Sequence, residues 1–228
     1  MSSGDPDQAQ SPFEAVLHAI RDRTHLLLGR TITYSADDWC APSMLPGWSR
    51  AHVAAHLITG ARNLTRIARE LLAGTSPDLL EPSLGDEDEV LATADGLDIQ
   101  IALDTSAGEL HDELAKLTDL TGAFHLRPGL YIAVHELPLV RLREVVLHHF
   151  DLEPADEGID LDPEIARRLL DFEITCVKPP IGPVRIRTDE GLTRTIGRGP
   201  TMPTLTGPTG DLFLWAARGA LTNRVHEA

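Results

Sequence analysis

The sequence predicts an α+β protein: an up-and-down four-helix bundle over residues 11–153, followed by a small α+β C-terminal domain over 154–228. Three observations predict it. Four stretches carry apolar residues at helical spacing on one side each, the pattern of helices packing around a shared core. After Glu153-Pro154-Ala155-Asp156-Glu157-Gly158 the pattern changes, and two short runs alternate as strands do. At 228 residues the chain is long enough to bury a core in either part.

Residues 1–10 are polar and expected to be loose. Ser11-Pro12-Phe13-Glu14 reads as a helix start, with Ser as cap, Pro in the first helical position and an acid in the first turn. Val16, Leu17, Ile20, Leu27 and Leu28 supply its stripe. A turn over Pro42–Gly47 leads to Ser49, the cap of a second helix whose Val53, Leu57, Leu64, Ile67 and Leu71 recur at helical intervals until Gly74 closes it. The acidic run Asp86–Glu89 opens a weaker helical region, with Leu97, Ile101, Leu110, Leu114 and Leu117 as core candidates. A fourth helix is expected from about Pro138 to Leu152. In the C-terminal part, Asp162-Pro163-Glu164 caps a helix ending near Val177. The runs Val184–Thr188 and Leu192–Ile196, separated by Asp189-Glu190-Gly191, read as a β-hairpin. Gly207-Pro208-Thr209-Gly210-Asp211 then opens a last helix bearing Leu212, Leu214, Trp215, Ala216 and Arg218.

Twenty basic against thirty-five acidic side chains give a net charge of −15. Such a surface repels nucleic acid, and an anionic substrate needs locally concentrated Arg or a metal to enter it. Cys40 and Cys176 are far apart and form no Cys-x-x-Cys, so neither a disulfide framework nor a thiolate metal site is expected. Cys40 reads as a small core residue. No apolar run has the length of a membrane span, and the start has no signal-peptide pattern. The expectation is a soluble, cytoplasmic protein without membrane or nucleic-acid partners.

The residues that bear chemistry lie in Gly47-Trp48-Ser49-Arg50-Ala51-His52-Val53-Ala54-Ala55-His56 and, nearly ninety residues later, in Arg141-Leu142-Arg143-Glu144-Val145-Val146-Leu147-His148-His149-Phe150-Asp151-Leu152. Glu144 and His148 are four apart and share a helix face. They sit among Val145, Val146, Leu147 and Phe150, and a buried carboxylate must be paired or ligated. If the helix carrying His56 packs alongside, two imidazoles and a carboxylate converge, the donor set of a zinc that keeps its fourth position open. His52 shares the face of His56 and one of the two suffices; His135 and His149 are further candidates. Arg141 and Arg143 flank the same face, as substrate-binding residues or as helix-surface ion-pair partners. Asp151 is a candidate acceptor for an imidazole N–H or a helix-end charge. Trp48 reads as a packing anchor for the turn.

These two segments resemble the mycothiol-dependent maleylpyruvate isomerases, which belong to a wider DinB-like group of four-helix metal proteins. The resemblance implies His56, Glu144 and His148 as ligands, the His standing eight residues after the Trp of the Gly-Trp motif. It also implies a C-terminal domain similar to sterol carrier proteins, with a catalytic Arg in its last helix, here Arg218 of Trp215-Ala216-Ala217-Arg218-Gly219. The family usually has a Gly before that Arg. In this chain Ala217 precedes it directly, a slip of one position or about 100° around a helix axis, with Arg224 as the fallback.

The function implied is a zinc-dependent isomerase that uses mycothiol, the low-molecular-weight thiol of actinobacteria, to convert maleylpyruvate to fumarylpyruvate. Alternatives are a mycothiol S-transferase acting on electrophiles and a non-catalytic metal-binding regulatory module. A monomer or weak homodimer is expected.

Overall fold

The computed structural model describes residues 11–77, 86–152, 158–178 and 181–228; the expected loose start at 1–10 and the expected boundary at 153/154 lie outside them. Helix α1 (Pro12–Thr31) begins as its local sequence dictates. The Ser11 hydroxyl accepts the Glu14 N–H and the Glu14 carboxylate accepts the Ser11 N–H. A five-residue helix α2 (Ala36–Cys40), capped by Ser35 in the same way, was not anticipated. It buries Trp39 and leaves Cys40 exposed, so Cys40 is not the core residue expected. Helix α3 (Arg50–Leu72) starts at Ser49, and Gly74 takes up a positive φ just beyond its end.

The acidic run opens a short α4 (Asp86–Ala92), and α5 (Gly96–Ala115) follows from an Asp95 cap. Its buried stripe is Ile99, Leu103, Ser106, Leu110 and Leu114, whereas the expected core residues Leu97 and Ile101 are exposed. They lie two positions, about 200° of helix, away from Ile99 and Leu103. A β-hairpin, β1 (Ala123–Arg127) and β2 (Leu130–Ala133), then precedes α6 (Leu137–Leu152).

The fold class is α+β with a four-helix unit followed by a smaller mixed unit, as expected. Within the bundle the helices run up-down-down-up instead of alternating strictly. Thr31 of α1 meets Gln100 near the start of α5 and Arg21 meets His111, so those two are antiparallel. Arg69 late in α3 pairs with Glu113 late in α5, while Trp39, just before α3, packs on Gly96 at the start of α5. Those helices are therefore parallel, the chain returning through the α4 region between them. Helix α6 is antiparallel to α3, with Leu57 facing Arg141 and Met44 facing Asp151.

In the C-terminal part, α7 (Pro163–Phe172) ends in a π-helical turn, Glu173–Val177, closed by Lys178 in the left-handed region. The expected hairpin forms as β3 (Val184–Thr188) and β4 (Thr193–Ile196). Strand β5 (Thr204–Gly207) adds parallel to β3, α8 (Thr209–Arg218) follows, and β6 (His226–Glu227) completes a sheet of order β4-β3-β5-β6. One apolar cluster runs through both parts, joining Ile20, Leu64, Leu114 and Leu142 of the bundle to Leu169, Leu170, Ile186 and Phe213. Each such buried side chain contributes about 1.5–3 kcal/mol, so the two parts stabilise one another. No helix among the described residues is long and apolar enough to cross a membrane.

Candidate active site

His56 lies in the second turn of α3 and faces α6, where Glu144 and His148 are one turn apart. His56 Nε2 is 3.3 Å and His148 Nε2 3.1 Å from the same oxygen, Glu144 Oε2, and the three ligand atoms all lie within 4.8 Å of one another. Zinc bonds of about 2.0–2.1 Å at tetrahedral angles place neighbouring donor atoms about 3.3 Å apart. Both histidine contacts to Glu144 are near that separation, and two imidazoles with one carboxylate suit zinc. The imidazole rings of His56 and His148 meet edge to face at 4.7 Å, and Trp48 packs in the same manner on His56 at 5.6 Å.

A second ring of groups orients the trio. Arg143 donates from Nη1 to Glu144 Oε1 at 3.0 Å, and its Nε and Nη2 grip Glu173 at 2.6 and 3.2 Å. Glu173 is buried in the π-helical turn after α7. Asp151, only 2% exposed, stands between His148 and the C-terminal part. Its Oδ2 is 2.9 Å from His148 Nδ1, an ion-pair contact whose angle falls outside the hydrogen-bonding range. On its other side it accepts from Arg218 Nη2 at 2.9 Å and Nε at 3.3 Å.

These contacts decide the charges. Burial disfavours the ionised form of Glu144, but hydrogen bonds from His148 and His56 and the charges of His148 and Arg143 outweigh it, and the carboxyl lies well below the ordinary glutamate range. Burial likewise opposes an imidazolium at His148, yet Asp151 and Glu144 together raise its pKa. Asp151 is held below the usual aspartate value, against burial, by His148 and Arg218.

The trio opens on a cavity of about 860 Å³ whose walls include Leu45, Trp48, Phe172 and Val177 with Arg127, Arg143 and Arg218. That volume is in the range of small-molecule sites. Arg218 reaches this cavity despite the slip after Ala217, being in the last turn of α8 before Gly219 caps it. Arg224 does not line it; it is bound to Asp211 at the start of α8. Arg141 is not brought to the cavity either. Its Nη1 donates to the Leu57 carbonyl inside the bundle, and burial draws its pKa down to about 10. His52 serves its own helix: its N–H donates to the Ser49 hydroxyl and its Nδ1 accepts the Ser49 N–H. His135 is exposed, and His149 lies outside the trio. Glu173 and Arg127 were not singled out from the sequence. Glu173 is thirty residues from its partner and carried no local signal, whereas Arg127 stands beside a Pro-Gly pair flanked by alternating apolar residues.

Fold and site together define a helical-bundle protein with a candidate two-histidine, one-carboxylate metal centre at a cavity shared with a C-terminal α+β unit. The family described as Mycothiol maleylpyruvate isomerase N-terminal domain matches residues 17–153, more than half of the chain, and the chain belongs to that family. Two solved structures are similar in fold. The crystal structure of the mycothiol-dependent maleylpyruvate isomerase has a TM-score of 0.82 at 18% identity, with 96% of this chain and 93% of that chain covered. A histidine-to-alanine mutant of that enzyme has a TM-score of 0.81 at 17% identity, with the same coverage. No protein of curated function matches the sequence.

Proposed function

We propose that this protein is a zinc- and mycothiol-dependent cis–trans isomerase that converts maleylpyruvate to fumarylpyruvate in the cytoplasm. The observation that carries the reading is the trio of His56, Glu144 and His148, with ligand atoms within 4.8 Å of one another, on the wall of a large cavity in a chain of this family. When bound, zinc and thiol would supply a thiolate able to add reversibly to the substrate double bond and so remove the barrier to rotation.

The chain's own residues do the rest. His56, Glu144 and His148 would hold the ion, and Arg143 fixes the orientation of the Glu144 carboxylate. Asp151 favours the proton on His148 Nδ1, leaving Nε2 to ligate. The same carboxylate grips Arg218 by its Nε–Nη2 edge, so Nη1 remains for a substrate carboxylate, which a fixed guanidinium both binds and orients. Leu45, Trp48, Phe172 and Val177 line the cavity with apolar surface that excludes water around the reacting bond.

The test is turnover of maleylpyruvate by zinc-loaded protein with and without mycothiol, followed by the separation of cis and trans acids. Formation of the trans acid only when both zinc and thiol are present is expected. Transfer of the thiol to the substrate without its release, or no reaction at all, would overturn the reading.

A further inference from the structure

Three arginines line the cavity among the described residues, and they differ in what they have left to offer. A guanidinium donates along its Nε, Nη1 and Nη2 directions. Arg143 uses all three on Glu173 and Glu144. Arg218 uses two on Asp151 and keeps Nη1. The side chain of Arg127 makes no hydrogen bond and no ion pair with any described residue, although it is exposed in the cavity wall.

The chain has thirty-five acidic and twenty basic side chains, and Arg127 is left without a carboxylate partner among the described residues even so. Three acids line the cavity, Glu87, Asp88 and Glu144; Glu87 and Glu144 are matched by Arg62 and Arg143, and Asp88 is buried with contacts of its own. Arg127 sits at a hairpin turn. It is the last residue of β1, paired with Leu130 across the Pro128-Gly129 turn, where Gly129 takes a positive φ. Phe124, Leu126, Leu130 and Ile132 bury the other face of the hairpin and anchor it in the core. The fold thus holds a cation at the cavity and, among the described residues, pairs it with no protein anion.

We propose that Arg127 binds the second carboxylate of a dicarboxylate substrate, the first being taken by the free Nη1 side of Arg218. Arg218 is tied to Asp151 at the C-terminal end of α6, and Arg127 comes from the hairpin that leads into the N-terminal end of that helix. The metal trio stands in the stretch between. A substrate with one acidic group satisfies one arginine and leaves the other bare, so the pair selects diacids over monoacids. The proposal takes the dicarboxylate from the isomerase reading, but its test does not need turnover.

Zinc-loaded protein is titrated calorimetrically with heptanedioate, a saturated seven-carbon diacid, and with heptanoate, its monoacid counterpart. Wild type is expected to bind the diacid at least about ten-fold more tightly, or about 1.4 kcal/mol. Arg127→Gln is expected to lose that preference with heptanoate affinity, zinc content and melting temperature unchanged, and Arg127→Lys to retain part of it. Equal affinities in wild type, or a preference that survives Arg127→Gln, would overturn the proposal. A preference that depends on Arg127 in a protein that does not turn over maleylpyruvate would leave the diacid site standing and remove the isomerase reading.

Discussion

Replacing Asp151 by Asn keeps the shape of the side chain and removes the charge that joins the metal centre to the C-terminal part. The residue is buried, with His148 Nδ1 at 2.9 Å on one side and Arg218 Nη2 and Nε at 2.9 and 3.3 Å on the other. An amide retains one acceptor oxygen but sets an NH2 against one of the two cations. Breaking a buried ion pair costs about 3–5 kcal/mol, and with one acceptor retained a loss of about 2–4 kcal/mol is expected. Loss of an orienting partner of a ligand histidine lowers metal affinity about 10–100-fold, or about 1.4–2.7 kcal/mol. Urea unfolding of the metal-free protein reads the first quantity, and zinc competition with a chromophoric chelator reads the second. A cycle of Asp151→Asn, Arg218→Ala and the double variant then gives the coupling between the two parts, expected at about 1–3 kcal/mol in stability. Zinc affinity within two-fold of wild type in Asp151→Asn would refute the orienting role, and additive stabilities would refute the link to Arg218.

Other outcomes follow from the same contacts. His56→Ala, Glu144→Ala and His148→Ala should each strip zinc as measured by elemental analysis, while His52→Ala, which disturbs a helix cap and a contact with Glu89, should leave zinc in place and cost about 1 kcal/mol of stability. Chelation should leave far-ultraviolet circular dichroism nearly unchanged, since the helices have their own apolar core; collapse of the helical signal would make the ion structural. Arg141→Met should leave KM for the substrate unchanged, because Arg141 is inside the bundle and away from the cavity; a ten-fold rise in KM would contradict that placement. Asp211 is fully buried and bound to Arg224, Thr222 and the Ile159 N–H, and against burial these hold its pKa below the ordinary aspartate value. A depressed carboxyl pKa adds stability that is present above the unfolded value of about 3.9 and is lost as pH falls through the folded one. Asp211→Asn should therefore be about 3 kcal/mol less stable at pH 7, with that deficit shrinking below about pH 4 in denaturation curves.

What could be read in advance was whatever depends on neighbours in sequence. Ser11, Ser49 and Asp162 cap helices because the contacts are made within three residues. Glu144 and His148 share a face by helix geometry alone, and the structure brings His56 to them. The phase of α5 was misread because Leu97 and Ile101 repeat as regularly as Ile99 and Leu103, and only the packing of α3 and α1 selects between the two stripes. The β1–β2 hairpin had a signal in Phe124/Leu126 and Leu130/Ile132 about Pro128-Gly129. Strand β5 is four residues long and exists by pairing with β3 nearly twenty residues away. The fates of Arg141 and Arg143 were open for a related reason: one position separates a guanidinium inside the bundle from one facing the cavity, and Glu173 is what claims the second.

The grip of Arg143 on Glu173 also sets an order of events as the chain is made. All three candidate ligands lie before residue 149, yet the groups that aim them, Glu173 and Arg218, follow 25 and 70 residues after His148. A nascent bundle therefore displays two imidazoles and a carboxylate before the groups that aim them are in place. A chain stopped short of residue 173 would carry the whole trio and still lack the groups that aim it.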